Sequence, residues 1–204
     1  MRVNKKKFIY LISPNKIYKK FFKDLQKVLE TGKISFFQLR LKKYSFKHKI
    51  LIGQKIKNIC KKNKVKFLIN DDPILAKKLD ADGCHLGQKD MNIKEARKII
   101  GNKIIGITCH NSITLAKIAI KAKASYLAFG AFYSSKTKKT KYAANIKILN
   151  KIKKITKTPI VAIGGINSKN YKKLLLNNAN FLAISGYIWN NKKYKPLEAL
   201  ERLK

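Results

Sequence analysis

One alternation runs the length of this chain and constrains its fold more than any other feature: short β-branched apolar runs, each followed by a stretch with helical spacing. The runs are Phe8 to Ile12, Phe36 to Leu39, Phe67 to Ile69, Cys84 to Leu86, Ile104 to Thr108, Tyr126 to Phe129, Ile160 to Ile163 and Phe181 to Ile184. Their length and composition are those of buried strands. Between them, apolar residues recur at three- and four-residue intervals: Phe22, Leu25, Val28 and Leu29; Ile52, Ile56, Ile59 and Cys60; Ile93, Ala96, Ile99 and Ile100; Leu115, Ile118 and Ala119; Ile148, Leu149 and Ile152; Leu174 and Leu175. That spacing marks one face of a helix. A chain alternating strand and helix throughout pairs its strands in parallel, and eight such units predict a (β/α)8 TIM barrel, an α/β fold in one domain over residues 1–204. An open doubly wound sheet is the fallback. The lack of a G-x-G-x-x-G after the first strand argues against it.

The 204 residues leave room for about one domain. Apolar residues make up 45%, enough for a core, but every long apolar stretch is strand-sized and interrupted by Lys, so no segment is expected to span a bilayer. The amino-terminal apolar run ends at Ser13-Pro14, too soon for a secretory signal. Cys60, Cys84 and Cys109 form no C-x-x-C pair and fit core packing in a reducing compartment. Together these predict a cytoplasmic protein.

Charge raises a competing idea. Lys and Arg number 48 against 10 Asp and Glu, a net +38, and such an excess neutralises phosphates. The lysines are nevertheless spread through every polar stretch beside abundant Asn and Ile, the residues an AT-rich genome over-supplies. Aromatic residues interleaved with Lys on one face, which single-stranded nucleic acid would need, are not evident. No specific nucleic-acid partner is expected, and a basic nucleic-acid-binding protein stands as the alternative from another class.

In a barrel, chemistry belongs to the loops after the strands' carboxyl ends. Gln38, Arg40 and Lys42 follow strand two at a period of two and so project to one side. Asp71, Asp72 and Asp90, three of only ten carboxylates, lie at the ends of strands three and four. Two carboxylates from neighbouring loops, completed by water and substrate phosphate, are a usual way to hold Mg2+. With Pro73 behind it, Asp72 reads as a helix cap and Asp71 as a ligand. Asp90 reads as a second ligand, its alternative being a cap for the helix from Asn92. Arg40, Lys42 and Lys138 complement an anionic substrate, although Lys138 sits in KTKKTK, a run that also reads as a solvated loop. Gly164-Gly165 and Ile184-Ser185-Gly186 stand where barrels bind phosphate through backbone N–H groups. Two anion sites on one rim point to the joining of two phosphorylated small molecules. His85 and His110 read as structural, because no Ser or Cys is placed with a His and a carboxylate as a nucleophile. Cys109 and His110, adjacent on an extended segment, point opposite ways.

The loops taken together resemble the thiamine-phosphate synthase (thiamine-phosphate pyrophosphorylase) family, from about Phe8 to Trp189. The carriers are QLRLK, LINDD, ADGCHLGQKDM, IIGITCHN, FGAFYSSKTK, PIVAIGGI and FLAIS, in order and in register. The resemblance implies a transferase that joins hydroxymethylpyrimidine diphosphate to a thiazole phosphate, giving thiamine phosphate and diphosphate. By it, Gln38, Arg40, Lys42, Asn70, Thr108 and Lys138 match the pyrimidine-diphosphate site, with Arg40, Lys42, Thr108 and Lys138 also matching catalytic positions. Asp71 and Asp90 match the Mg2+ ligands. Ser135, Thr137, Gly165, Ile184 and Ser185 match the thiazole-phosphate site. Departures from the family are Leu41 for an acidic residue, Thr108 for Ser, Ser135 for Thr, and no glycine in KTKYAAN after Lys138. Leu41, between Arg40 and Lys42, is expected to point away from the site. A thiazole tautomerase on the same barrel is the nearest rival, similar at His110 and the phosphate cradle but not expected to keep the carboxylate pair. A degenerate barrel and a homo-oligomeric assembly both stay open.

Overall fold

A strand that loses one neighbour exposes a row of unpaired backbone groups, and this chain leaves no such edge. The computed structural model describes residues 7–134 and 142–203. Among them, β1 (Ile9–Ile12), β2 (Ile34–Leu39), β3 (Lys66–Asn70), β4 (Gly83–Leu86), β5 (Ile104–His110), β6 (Tyr126–Phe129), β7 (Ile160–Ile163) and β8 (Phe181–Ile184) pair in sequence order. The pairing closes when β8 meets β1. All ladders are parallel. Closure satisfies every strand on both sides.

The strands alternate between two cores. Ile9 and Leu11 of β1, Leu127 and Phe129 of β6, and Leu182 and Ile184 of β8 face outward into the layer shared with the helices. Tyr10, Ile12, Tyr126, Ala128, Val161 and Ala183 face inward and fill the barrel. Because both faces are buried, the strands read as near-continuous apolar runs, with polar residues only where they reach the rim.

The helices are α1 (Phe21–Glu30), α2 (Phe46–Lys62), α3 (Pro73–Lys78), α4 (Ile93–Ile100), α5 (Ile113–Lys121), α6 (Lys147–Ile155), α7 (Tyr171–Leu176), α8 (Gly186–Trp189) and α9 (Pro196–Glu201). Ser45, Asp72, Asn92 and Ser112 each accept the backbone N–H three residues on, capping α2 to α5. Asp72 caps α3 with Pro73 at its first position, as the sequence indicates. Asn92, not Asp90, caps α4.

Two readings need correction. On α5 the buried positions are Ala116 and Ala119, whereas Ile118 is 60% exposed; the small alanines let that helix lie close to β5, turning Ile118 outward. On α1 the fully buried aromatic is Phe21, with Phe22 only partly covered. Neither α8 nor α9 is anticipated by the periodicity, and α9 packs on α1 and α8. Among the described residues no helix is long and apolar enough to cross a membrane.

Phe21 joins these parts, its ring 5.2 Å from that of Trp189 between centroids. Phe21→Ala is expected to lower unfolding free energy by about 3–5 kcal/mol, the range for a deleted core aromatic. Urea denaturation checks it as a lower midpoint with an unchanged slope.

Candidate active site

The carboxyl ends of the strands open onto a cavity of about 630 Å³. Gln38, Arg40, Lys42, Asn70, Asp71, Asp90, Thr108, Gly165, Ile184 and Ser185 all line it, so residues from six strand ends converge on one space. Ser135, Thr137 and Lys138 lie outside the described residues. Leu41 is buried in the outer core, turned from the cavity as its place between Arg40 and Lys42 requires.

One end of the cavity is built for charge. Lys42 Nζ lies 2.8 Å from Asp71 Oδ2. Asp71 leaves β3 with a φ of 64°, a left-handed conformation that Asp tolerates. Its N–H donates to the His85 carbonyl at 2.8 Å, tying the end of β3 to β4. Asp90 Oδ2 accepts the Gly87 N–H at 2.7 Å, and its carboxyl stands close enough to that of Asp71 for each to shift the other's ionisation. Burial opposes ionisation of Asp71, but the Lys42 ammonium and the neighbouring Asp90 carboxyl outweigh it and hold its pKa below the usual carboxylate range. Asp90 moves the other way: burial raises it, the Gly87 amide offsets part of this, and the neighbouring Asp71 raises it further. The pair therefore holds one proton more readily than two separate carboxylates would.

Arg40 stands beside them on two partners contributed by the loop after β1. Its N–H donates to Ser13 Oγ at 2.9 Å and its Nη1 to Asn15 Oδ1 at 3.0 Å. Burial lowers the guanidinium pKa, with the Asp71 charge pulling it back up. Gln38 is buried and donates through Nε2 to Asn70 Oδ1 at 3.1 Å, which fixes both amides at the cavity floor. The sequence reading omitted Ser13 and Asn15. Their signal was position alone, directly after the first strand.

The opposite end is made of backbone. Gly165 has a φ of 61°, and a Cβ there would lie 2.3 Å from the Ser134 carbonyl oxygen, so the loop after β7 can pass this close to the loop after β6 only with glycine. Phe132 and Tyr133 donate their N–H groups to the carbonyls of Ile163 and Gly164, each at 3.1 Å, and lock the two loops together. Ile184 points its side chain into the outer core and presents its backbone to the cavity. Ser185 donates its hydroxyl to the Ser13 carbonyl at 3.1 Å and makes no side-chain cap on α8. Trp189 Nε1 donates to the Ile12 carbonyl at 2.7 Å, pinning that short helix to β1.

Between the two ends lie Thr108 and the histidines. His85 sits with Nδ1 2.9 Å from Tyr126 Oη and Nε2 2.9 Å from Thr108 Oγ1. His110 has a φ of 53° at the bulged end of β5, and its ring stacks on Tyr142 with centroids 3.8 Å apart. Cys109 points away into the outer core, and burial pushes its thiol up to about 12, so it stays a neutral thiol. No Ser–His–carboxylate or Cys–His arrangement occurs among the described residues. What the site offers is cations, carboxylates and backbone amides for two anionic groups.

This geometry has close counterparts. A family model described as thiamine monophosphate synthase matches residues 9–188. The chain is 70% identical to the thiamine-phosphate synthase of Pelagibacter ubique (strain HTCC1062), covering 100% of both chains. It is 39% identical to that of Erythrobacter litoralis (strain HTCC2594), over 94% of this chain and 92% of the relative. The solved structure of thiamine phosphate pyrophosphorylase from Pyrococcus furiosus superimposes with a TM-score of 0.86 at 28% identity, over 98% of this chain and 94% of that one. With the match running through every strand of the barrel and across the rim that forms the cavity, the chain belongs to the thiamine monophosphate synthase family of enzymes.

Proposed function

We propose that the protein is a Mg2+-dependent thiamine-phosphate synthase. It transfers the pyrimidinylmethyl group of 4-amino-2-methyl-5-hydroxymethylpyrimidine diphosphate to the nitrogen of 4-methyl-5-(2-phosphoethyl)thiazole and releases diphosphate, or, with the carboxylated thiazole, diphosphate and CO2. The observation that carries this reading is one cavity with an ionic end and a backbone end, with no Ser–His–carboxylate or Cys–His arrangement between them among the described residues.

The chemistry needs little more. The C–O bond from the methylene to the diphosphate breaks while the electron-rich pyrimidine delocalises the positive charge left behind, and the thiazole nitrogen then bonds to that methylene. Negative charge grows on the leaving diphosphate as the bond lengthens, so cations fixed beside it stabilise the transition state more than the bound substrate. Arg40 and Lys42 stand at that end, and Lys138 is the third cation the family pattern supplies. Gln38, Asn70 and Thr108 orient the pyrimidine. The backbone around Gly165, Ile184 and Ser185 is open to the thiazole's phosphate, with Ser135 and Thr137 as its hydroxyl partners by family pattern. Neither histidine is needed as a base.

Asp71 and Asp90 suit Mg2+ by their donor chemistry: two hard carboxylates already in contact, with the Lys42 ammonium against one of them. When bound there, the ion would supply charge neutralisation to the diphosphate. The partners are then two phosphorylated small molecules, in the cytoplasm.

The test is an assay of the purified protein with both substrates, with and without Mg2+, following thiamine phosphate as fluorescent thiochrome. Magnesium-dependent product is the expected result. Isomerisation of the thiazole without coupling would assign the barrel to the tautomerase reaction instead. Arg40→Ala and Asp90→Ala are each expected to slow turnover by at least about 100-fold, and unaltered rates in both would overturn the site. Affinity for Mg2+ is expected to fall as pH drops through the raised pKa of Asp90, by up to about tenfold per pH unit, since a proton must leave before the metal is held. Calorimetric titrations at several pH values check this. A flat profile across pH 4–8 would exclude Asp90 as a ligand.

A further inference from the structure

A line of hydrogen bonds crosses the mostly apolar inner layer of the barrel and ends in the cavity. Tyr10 Oη is 2.7 Å from Tyr126 Oη, Tyr126 Oη is 2.9 Å from His85 Nδ1, and His85 Nε2 is 2.9 Å from Thr108 Oγ1. Four strands contribute, β1, β6, β4 and β5 in that order. Tyr126 spans the gap from β6 to β4 because β5 carries Gly106 under its ring, where a Cβ would lie 1.9 Å from Cζ. The Tyr126 and His85 rings lie nearly parallel, 13° apart, which points the phenol oxygen at the edge of the imidazole.

The protons along this line all run one way. A neutral imidazole has one donor and one acceptor, so reversing any junction reverses the others. If Thr108 donated to His85 Nε2, Nδ1–H would donate to Tyr126, Tyr126 to Tyr10, and the Tyr10 proton would point among the apolar side chains of Ile12, Leu68 and Val161, at the base of the cavity, with no protein acceptor among the described residues. A doubly protonated ring leads to the same place. Tyr10 is 2% exposed, and among the described residues its hydroxyl bonds only to Tyr126. A buried donor without an acceptor is costly, whereas an oxygen with a spare lone pair is less so. Burial also raises the pKa of both phenols, keeping them protonated. The favoured direction is therefore Tyr10 to Tyr126 to His85 Nδ1, with Nε2–H donating to Thr108.

We propose that Tyr126 and His85 are positioning residues that fix the Thr108 hydroxyl as a hydrogen-bond donor into the cavity, so that the site selects a substrate presenting an acceptor atom there. The acceptor is a ring nitrogen of the pyrimidine or an oxygen of its diphosphate. The selection of substrate rests on the synthase reading above; the direction of the chain does not.

Two measurements test it. The ring nitrogens of His85 are read by 15N NMR of the uniformly labelled protein, with His85→Gln assigning its signals among the three histidines. The expected state is Nε2–H with Nδ1 bare, unchanged in Tyr10→Phe, and in Tyr126→Phe the Nδ1 resonance moves toward that of an acceptor nitrogen that has lost its hydrogen bond. A His85 that carries its proton on Nδ1, or on both nitrogens, in the wild-type protein overturns the proposal, whether or not the protein makes product. In the coupling assay, Thr108→Val is expected to raise KM for the pyrimidine diphosphate about tenfold, one hydrogen bond's worth, with kcat changed less, and Thr108→Ser to restore it. Tyr126→Phe should raise the same KM and add nothing to Thr108→Val. Additive effects, or a fall in kcat alone, would mark a merely structural role and overturn it. Binding of inorganic diphosphate by Thr108→Val separates the acceptors: weakened binding assigns a diphosphate oxygen, unchanged binding a ring nitrogen.

Discussion

Parallel strands have two faces to bury and two edges to pair, and eight of them meet both demands by closing on themselves. Closure has a geometric consequence on which everything else in this molecule depends: every strand ends on the same rim. Residues far apart in the chain, from Arg40 to Ser185, are brought around one cavity without a second domain. The helices hold that rim in place through caps at their amino ends, where Ser45, Asp72, Asn92 and Ser112 close the turns that follow β2 to β5. Rigid strand ends with capped exits give side chains little freedom, and pre-set charges cost no reorganisation when charge develops on a substrate.

Carboxylates are scarce in this chain, and two of them are placed in contact in its cavity. Their mutual repulsion is tolerated because Lys42 lies against Asp71 and the Gly87 amide against Asp90. The result is a local concentration of negative charge within a molecule of strongly positive charge. The other lysines are spread over helices and loops along the chain, where they add a general attraction for anions but no geometry. A few charges have fixed partners instead, among them Arg40, held by Ser13 and Asn15.

The barrel interior departs from the usual aliphatic filling. Tyr10 and Tyr126 occupy it with large rings, and their hydroxyls are satisfied by each other and by His85, so polar groups enter the core without being left unpaired. That chain couples the packing layer beneath the cavity to the orientation of a hydroxyl inside it. Gly106 is the space that makes the arrangement possible.

Much of this was legible in the sequence, because much of it is local. Strand identity follows from short β-branched apolar runs buried on both faces, the Asp72-Pro73 cap from the chemistry of a helix start, and the rim residues from their place directly after strands. The seven matched segments carried the family. Other features depend on distant parts of the chain. That Ile118 faces solvent while Ala116 and Ala119 are buried depends on how closely α5 approaches β5, which spacing cannot express. That Tyr126 of β6 reaches His85 of β4 depends on a missing Cβ on the strand between them. The contact between Asp71 and Asp90 depends on two loops meeting at the rim. Sequence by itself determined the eight strands, their parallel order and most of the helices and rim residues, since each follows from chemistry within a few neighbours. Which side chains touch, which proton lies on which atom and which carboxylate stays ionised were decided only by the closed barrel, because hydrogen bonds and charge–charge interactions act between residues that only tertiary packing brings within a few ångströms.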